Sequence, residues 1–187
     1  MSSQRWGEAV AWATASGTSV NTTAAETIIF PNVTIPANYM QDGRCIRIRA
    51  MGLHSTLGTG TVTLVFKLKA GGVAGTLLAQ TGTITTLVSL ANAYWDLDII
   101  VQTRTNGATG TVIANGVVRV FGATVPTIGS VTGAPAIAPM TVGGQTAPAT
   151  ATYDLTADSA YALTVTMGAS SANNIVQGVQ YTIESMN

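Results

Sequence analysis

The chain has 187 residues, a mass of 19.1 kDa and only 9% charged residues, eight basic and eight acidic, for a formal net charge of zero. One histidine and one cysteine exclude a Cys/His zinc site and an intrachain disulfide, and the balanced charge lacks the clustered Lys/Arg that phosphate binding demands. The 47% hydrophobic content speaks for a folded domain, with a neutral surface suited to packing against copies of itself or a partner.

Read from the N-terminus, Ala9 to Ala15 ends in an Ala-x-Ala pattern, but the apolar stretch is short, Glu8 opens it, and Arg5 is the only upstream base. It is not predicted to be a signal peptide, and without export Cys45 is expected to stay a reduced thiol. Residues 1–20, with Trp6 and Trp12, are read as an N-terminal arm or edge strand, and 21–187 as one sandwich domain. No apolar run approaches the roughly 18 residues of a membrane span, so no membrane partner is expected.

Alternation predicts the strands. In Arg44–Leu53, Ile46, Ile48 and Ala50 face one way and Arg47, Arg49 and Met51 the other. Val62, Leu64, Phe66 and Leu68 share a face opposite Thr63, Val65, Lys67 and Lys69. Trp95, Leu97, Ile99 and Val101 oppose Asp96, Asp98, Gln102 and Arg104, and Thr111–Phe121 is rich in β-branched residues. Tyr161, Leu163, Val165 and Met167 form one face of a late strand, and Val179, Tyr181 and Ile183 one face of the last. Ala9–Thr14, Glu26–Ile35 and Leu77–Thr83 are less regular candidates. Turn signals separate these runs, and Asn106-Gly107 reads as a hairpin. Eight to ten strands with turns every ten or so residues predict an all-β, antiparallel two-sheet sandwich of jelly-roll type.

Gly122–Thr150 breaks the rhythm. It holds four of the six prolines (Pro126, Pro135, Pro139 and Pro148) and no charged residue. Long irregular stretches inside a domain are usually functional. Two readings stand side by side. One is a loop with a short strand lying along the sandwich. The other is an inserted arm whose Val125, Ile128, Val131, Ile137 and Met140 fill grooves on a neighbouring subunit, so that its removal leaves the sandwich folded. Trp6 and Trp12 are interface candidates of the same kind.

Chemistry is sparse. Asp96 and Asp98 lie on one face of a strand, whereas glycosidase carboxylates face each other across a cleft; the pair reads as a solvated edge beside Arg104. Asp42, Asp154 and Asp158 sit at turns, and His54 reads as structural. Arg47, Arg49, Lys67 and Lys69 are expected to be cross-strand neighbours forming one small basic patch. That patch either discourages edge aggregation or docks an acidic partner surface. No enzyme activity, cofactor, metal or nucleic-acid partner is expected.

Asn21-Thr22-Thr23 with Glu26-Thr27, Val33-Thr34-Ile35-Pro36-Ala37-Asn38 and Gly43-Arg44-Cys45-Ile46-Arg47-Ile48-Arg49 resemble a pattern of tailed-phage virion proteins. Phe66-Lys67-Leu68-Lys69-Ala70-Gly71-Gly72, Trp95-Asp96-Leu97, Gly110–Gly116, Tyr161–Thr166 and Ser170–Asn174 extend the likeness over most of residues 20–185. These motifs mark a fold and carry no site residues. The resemblance implies a jelly-roll virion component, often a trimer: a capsid decoration (cement) protein, a head fibre or a tail module. The leading expectation is a homotrimer made in the host cytoplasm that binds between major capsid subunits on the capsid surface. The alternative is a receptor- or carbohydrate-binding module of a head or tail fibre.

Overall fold

A computed structural model describes residues 8–124, 136–142 and 149–186. Fourteen strands and no helix occur among them. They are β1 (Glu8–Trp12), β2 (Thr27–Ile28), β3 (Val33–Ile35), β4 (Cys45–Ser55), β5 (Thr63–Ala70), β6 (Thr76–Thr81) and β7 (Ile84–Thr86), followed by β8 (Ala93–Thr105), β9 (Gly110–Val120), β10 (Ala123–Thr124), β11 (Ala136–Thr141), β12 (Thr150–Tyr153), β13 (Ser159–Met167) and β14 (Ile175–Ser185). The count exceeds the eight to ten expected because β2, β3, β7 and β10 are two or three residues long, too short to show an alternation.

All the pairings are antiparallel, and the fold is an all-β sandwich. One layer runs β1-β14-β4-β8-β9, and the other β6-β5-β13-β2. β11 joins them: Met140 and Thr141 pair with Gly116 and Asn115 of β9 on one side and with Thr81 and Gln80 of β6 on the other. β12 continues along the same edge of β9. β14 beside β4 and β13 beside β5 bring together strands distant in sequence, a crossover pattern that alternation cannot reveal.

The apolar faces expected from β4, β5 and β8 all point into the core. Ile46, Ile48, Leu64, Phe66, Leu68, Trp95, Leu97, Ile99 and Val101 are buried. The Phe66 and Trp95 rings meet across the layers, centroids 5.1 Å apart, and the Trp95 indole N–H donates to the Leu53 carbonyl at 3.2 Å. Gly52 makes this possible: a Cβ there would lie 1.9 Å from the Gln177 carbonyl oxygen and 2.7 Å from the Trp95 ring.

Two expectations change. Val179 does not share a face with Tyr181 and Ile183, because β14 carries a bulge between Gly178 and Gln180 that turns Val179 outward. Of the two readings of 122–150, the short strand along the sandwich holds and the arm does not: the stretch contributes β10 and β11 to the domain's own sheets, with Ala138 and Met140 fully buried. Met140 therefore serves this chain's core and not a neighbour's groove. Its removal would expose the edges of β9 and β6, so excising 122–150 would not leave the sandwich intact. Val125, Ile128 and Val131 lie outside the described residues, as does Trp6. Residues 8–12 form an edge strand on β14.

Trp95→Ala is expected to cost about 3–5 kcal/mol, and Gly52→Ala about 1–3 kcal/mol through overpacking. Urea unfolding should show both as lower midpoints at unchanged slope.

Candidate functional site

The outward residues of β14, β4, β8 and β9 build a polar face. Because side chains alternate, burying Trp95, Leu97 and Ile99 sends Asp96 and Asp98 outward, and burying Ile46, Ile48 and Ala50 does the same for Arg47 and Arg49. Register then sets their partners. Arg49 stands directly opposite Asp98, and Asp96 opposite Arg119. Arg47, one step diagonal, makes the stronger bond: its Nε donates to Asp98 Oδ1 at 2.8 Å, and its Nη2 to Asp98 Oδ2. Arg49 Nε lies 3.7 Å from Asp98. Arg119 Nε donates to Asp96 Oδ1 at 2.6 Å. These are cross-strand pairs of opposite charge that pin the side chains across the sheet.

The hydrogen bond from Arg47 is the largest influence on Asp98; with the nearby guanidinium charges it outweighs partial burial and holds the carboxyl below its usual range. Burial and the Asp96 carboxylate together push the Tyr94 phenol up. A depression of about 340 Å³ opens on this face, walled by Tyr94, Arg49, Arg119, Gln180 and Glu184, with Asp96 and Asp98 between them.

The single basic patch expected from Arg47, Arg49, Lys67 and Lys69 does not form. β4 neighbours β8 and β14, whereas β5 neighbours β13, β6 and β7 in the other layer. Lys67 and Lys69 instead share Glu26, at 2.8 and 3.4 Å, and Thr164 donates a hydroxyl to the same carboxylate at 2.8 Å. Burial works against ionisation of Glu26, but the lysine and hydroxyl contacts prevail and hold its pKa below the usual value. Each expected cationic pair thus meets a carboxylate within its own layer, the two lysines sharing Glu26 and the two arginines sharing Asp98. Asp96 and Asp98 stand on β8 between β4 and β9, inside the sheet and not at the solvated edge expected beside Arg104, and pair with Arg119, Arg47 and Arg49.

Of the apolar interface candidates, Trp12 is 61% exposed and Ile137 50% exposed, well apart from each other on β1 and β11. The sequence reading missed a group of exposed apolar residues. Leu87, Val88 and Phe121 are 47%, 42% and 43% exposed at one end of the sandwich. The Leu87 N–H donates to the Gly122 carbonyl at 2.6 Å, which brings the 87–90 and 121–122 turns together. The Phe121 ring rests edge-on against Tyr94, centroids 5.6 Å apart. Both segments are turns, where side-chain periodicity lapses; only their run of large apolar residues between strands could have signalled them.

His54 ties this end down. It is buried, and its Nε2 lies 2.8 Å from the Phe121 carbonyl, which can only accept, so Nε2 carries the proton. Burial lowers its pKa, only partly offset by that carbonyl. The turn residues behave as expected: Asp154 accepts from the Thr156 N–H and Asp42 from the Asn106 N–H. No group of three or more His, Cys, Asp or Glu placed to hold a metal occurs among the described residues.

No protein-family model matches the chain, and no curated protein matches it. Among solved structures it is similar to the CBM2 module of the evolved Dit of Lactobacillus casei BL23 phage J-1, with 11% identity, a TM-score of 0.39 and 98% of each chain covered. A likeness of that size adds nothing to the fold described above.

Stability should fall in two stages on acidification. An unfolded histidine takes a proton below about pH 6.5 that buried His54 refuses, so stability is complete above that pH and declines as pH falls below it. Glu26 and Asp98 hold folded pKa values below their unfolded ones, so their contribution is present above about pH 4 and lost as pH falls through the folded values. Urea midpoints measured between pH 7.5 and 4.5 should drop for the native chain. They should stay nearly level for His54→Gln, which keeps an N–H for the Phe121 carbonyl.

Proposed function

We propose that this protein is a structural virion component of a tailed phage that decorates the capsid as a homotrimer. It acts by attachment and not by turnover. The virion reading starts from the sequence resemblance; the exposed Leu87–Val88–Phe121 group is the observation that supports attachment. Isolated exposed hydrophobes are ordinary, but three large ones on adjoining turns suit a docking site. His54, Thr56 and Gly122 hold the backbone of that group by hydrogen bonds, so little ordering entropy is lost on docking. Three copies of a modest contact, presented together, give lasting attachment by raising the effective concentration of each after the first has bound.

A second reading, a receptor- or carbohydrate-binding module of a head or tail fibre, is favoured by the Tyr94-flanked depression. Trp6 and Trp12 are the aromatics that the sequence offers for such a role; Trp6 lies outside the described residues, and Trp12 does not wall that depression.

The double variant Leu87→Asp/Val88→Asp should bind capsids lacking the protein at least about tenfold more weakly, a loss of about 1.4 kcal/mol. Its unfolding free energy should stay within about 0.5 kcal/mol of the native chain, as for other exposed positions. Co-sedimentation with capsids, beside urea unfolding, measures both. Undiminished saturation of capsids by the variant would overturn the assignment of this surface.

A further inference from the structure

We infer that the depression on the outer face of β14, β4, β8 and β9 is a binding site for a neutral saccharide. This inference rests on the second reading above and gives it a place and a ligand class. Four observations carry it.

The first is size. About 340 Å³ lies at the lower end of the range of roughly 300–1,000 Å³ typical of small-ligand sites, enough for a sugar unit and too shallow to enclose a large apolar molecule. The second is polarity. Arg49, Arg119 and Gln180 offer N–H donors while Asp96, Asp98 and Glu184 offer acceptors, so both hydrogen-bonding roles surround one concavity. A hydroxyl-rich ligand, each of whose groups both donates and accepts, matches that mixture better than one bearing a single kind of group.

The third is preorganisation. The Asp96–Arg119 and Asp98–Arg47 bonds hold the carboxylates and guanidinium groups in place on neighbouring strands before anything binds. The side-chain entropy that a flexible charged surface would lose on binding is thereby already lost. Tyr94, braced edge-on by Phe121, adds an aromatic wall. The fourth is charge. Arg49 and Arg119 line the depression with three carboxylates, and Arg47 bonds Asp98 from beside them, so the charges balance and no surplus positive charge draws an anion. Asp96 and Asp98 are occupied by guanidinium groups, which disfavours a bare cation. A neutral ligand remains.

Gln180 and Arg49 suit a test because both side chains project from the surface and neither buries apolar area. The probe is an array of neutral hexose, deoxyhexose and N-acetylhexosamine oligosaccharides with sulfated and sialylated counterparts, followed by calorimetric titration of the best binder. The native chain should bind a neutral glycan, and Gln180→Ala and Arg49→Ala should each weaken it about fivefold or more, the scale of one lost hydrogen bond. Arg104→Ala, outside the depression, should leave it unchanged. Thermal unfolding of each variant confirms that it is folded. Binding of no glycan by the native chain would overturn both this site and the carbohydrate-binding form of the second reading. Binding that survives both substitutions would overturn the site alone and leave the reading standing. Preference for the charged glycans would overturn the ligand class.

Discussion

The Trp95 indole lies fully buried near the start of β8, against Phe66 of the opposite layer and above the bare backbone of Gly52. This packing decides which side chains β8 turns to solvent. In a strand a one-residue slip would exchange the two faces completely. With Trp95, Leu97 and Ile99 committed inward, Asp96 and Asp98 must stand on the outer face, opposite arginines of β4 and β9. The polar depression is thus a consequence of core packing: its walls are the reverse sides of the strands that hold the indole.

Electrostatics follow the same logic. Charges in both layers meet opposite charges at close range, because Lys67 and Lys69 share Glu26 in one layer and Arg47 and Arg49 share Asp98 in the other. A surface of paired charges costs little to bring against another protein, since few unpaired ions need be stripped of water. It also offers no long-range field to steer an encounter. Recognition is left to local features: the apolar turn group at one end of the sandwich and the hydrogen-bonding depression beside it, joined by the Tyr94–Phe121 contact.

Much of this was legible from residue order. Alternation in Arg44–Leu53, Val62–Lys69 and Tyr94–Arg104 assigned the inward faces correctly, including burial of Trp95, and Asn106-Gly107 marked its hairpin. What escaped was information that alternation does not contain. Whether Arg47 and Lys67 are neighbours depends on strand order, and they lie in different layers. Asp96 and Arg119 are 23 residues apart in sequence and meet only through the β8–β9 register. The single extra residue at Gly178–Gln180 reversed Val179, and no pattern of hydrophobicity announces a bulge. The proline-rich stretch admitted two readings because Ala136–Thr141 has a proline in its middle; the short strand along the sandwich is the one that holds, and it carries the sheet from β9 to β6. Leu87, Val88 and Phe121 lie in turns, where no period tells inside from outside.

Attachment by an assembled, multivalent unit is the central claim of this account. Its most direct test is the native mass of the purified protein by light scattering across a dilution series. A mass steady at three times the 19.1 kDa of one chain is the predicted result. A mass of 19.1 kDa at every dilution would contradict it, leaving a solitary sandwich that presents one apolar turn group alone.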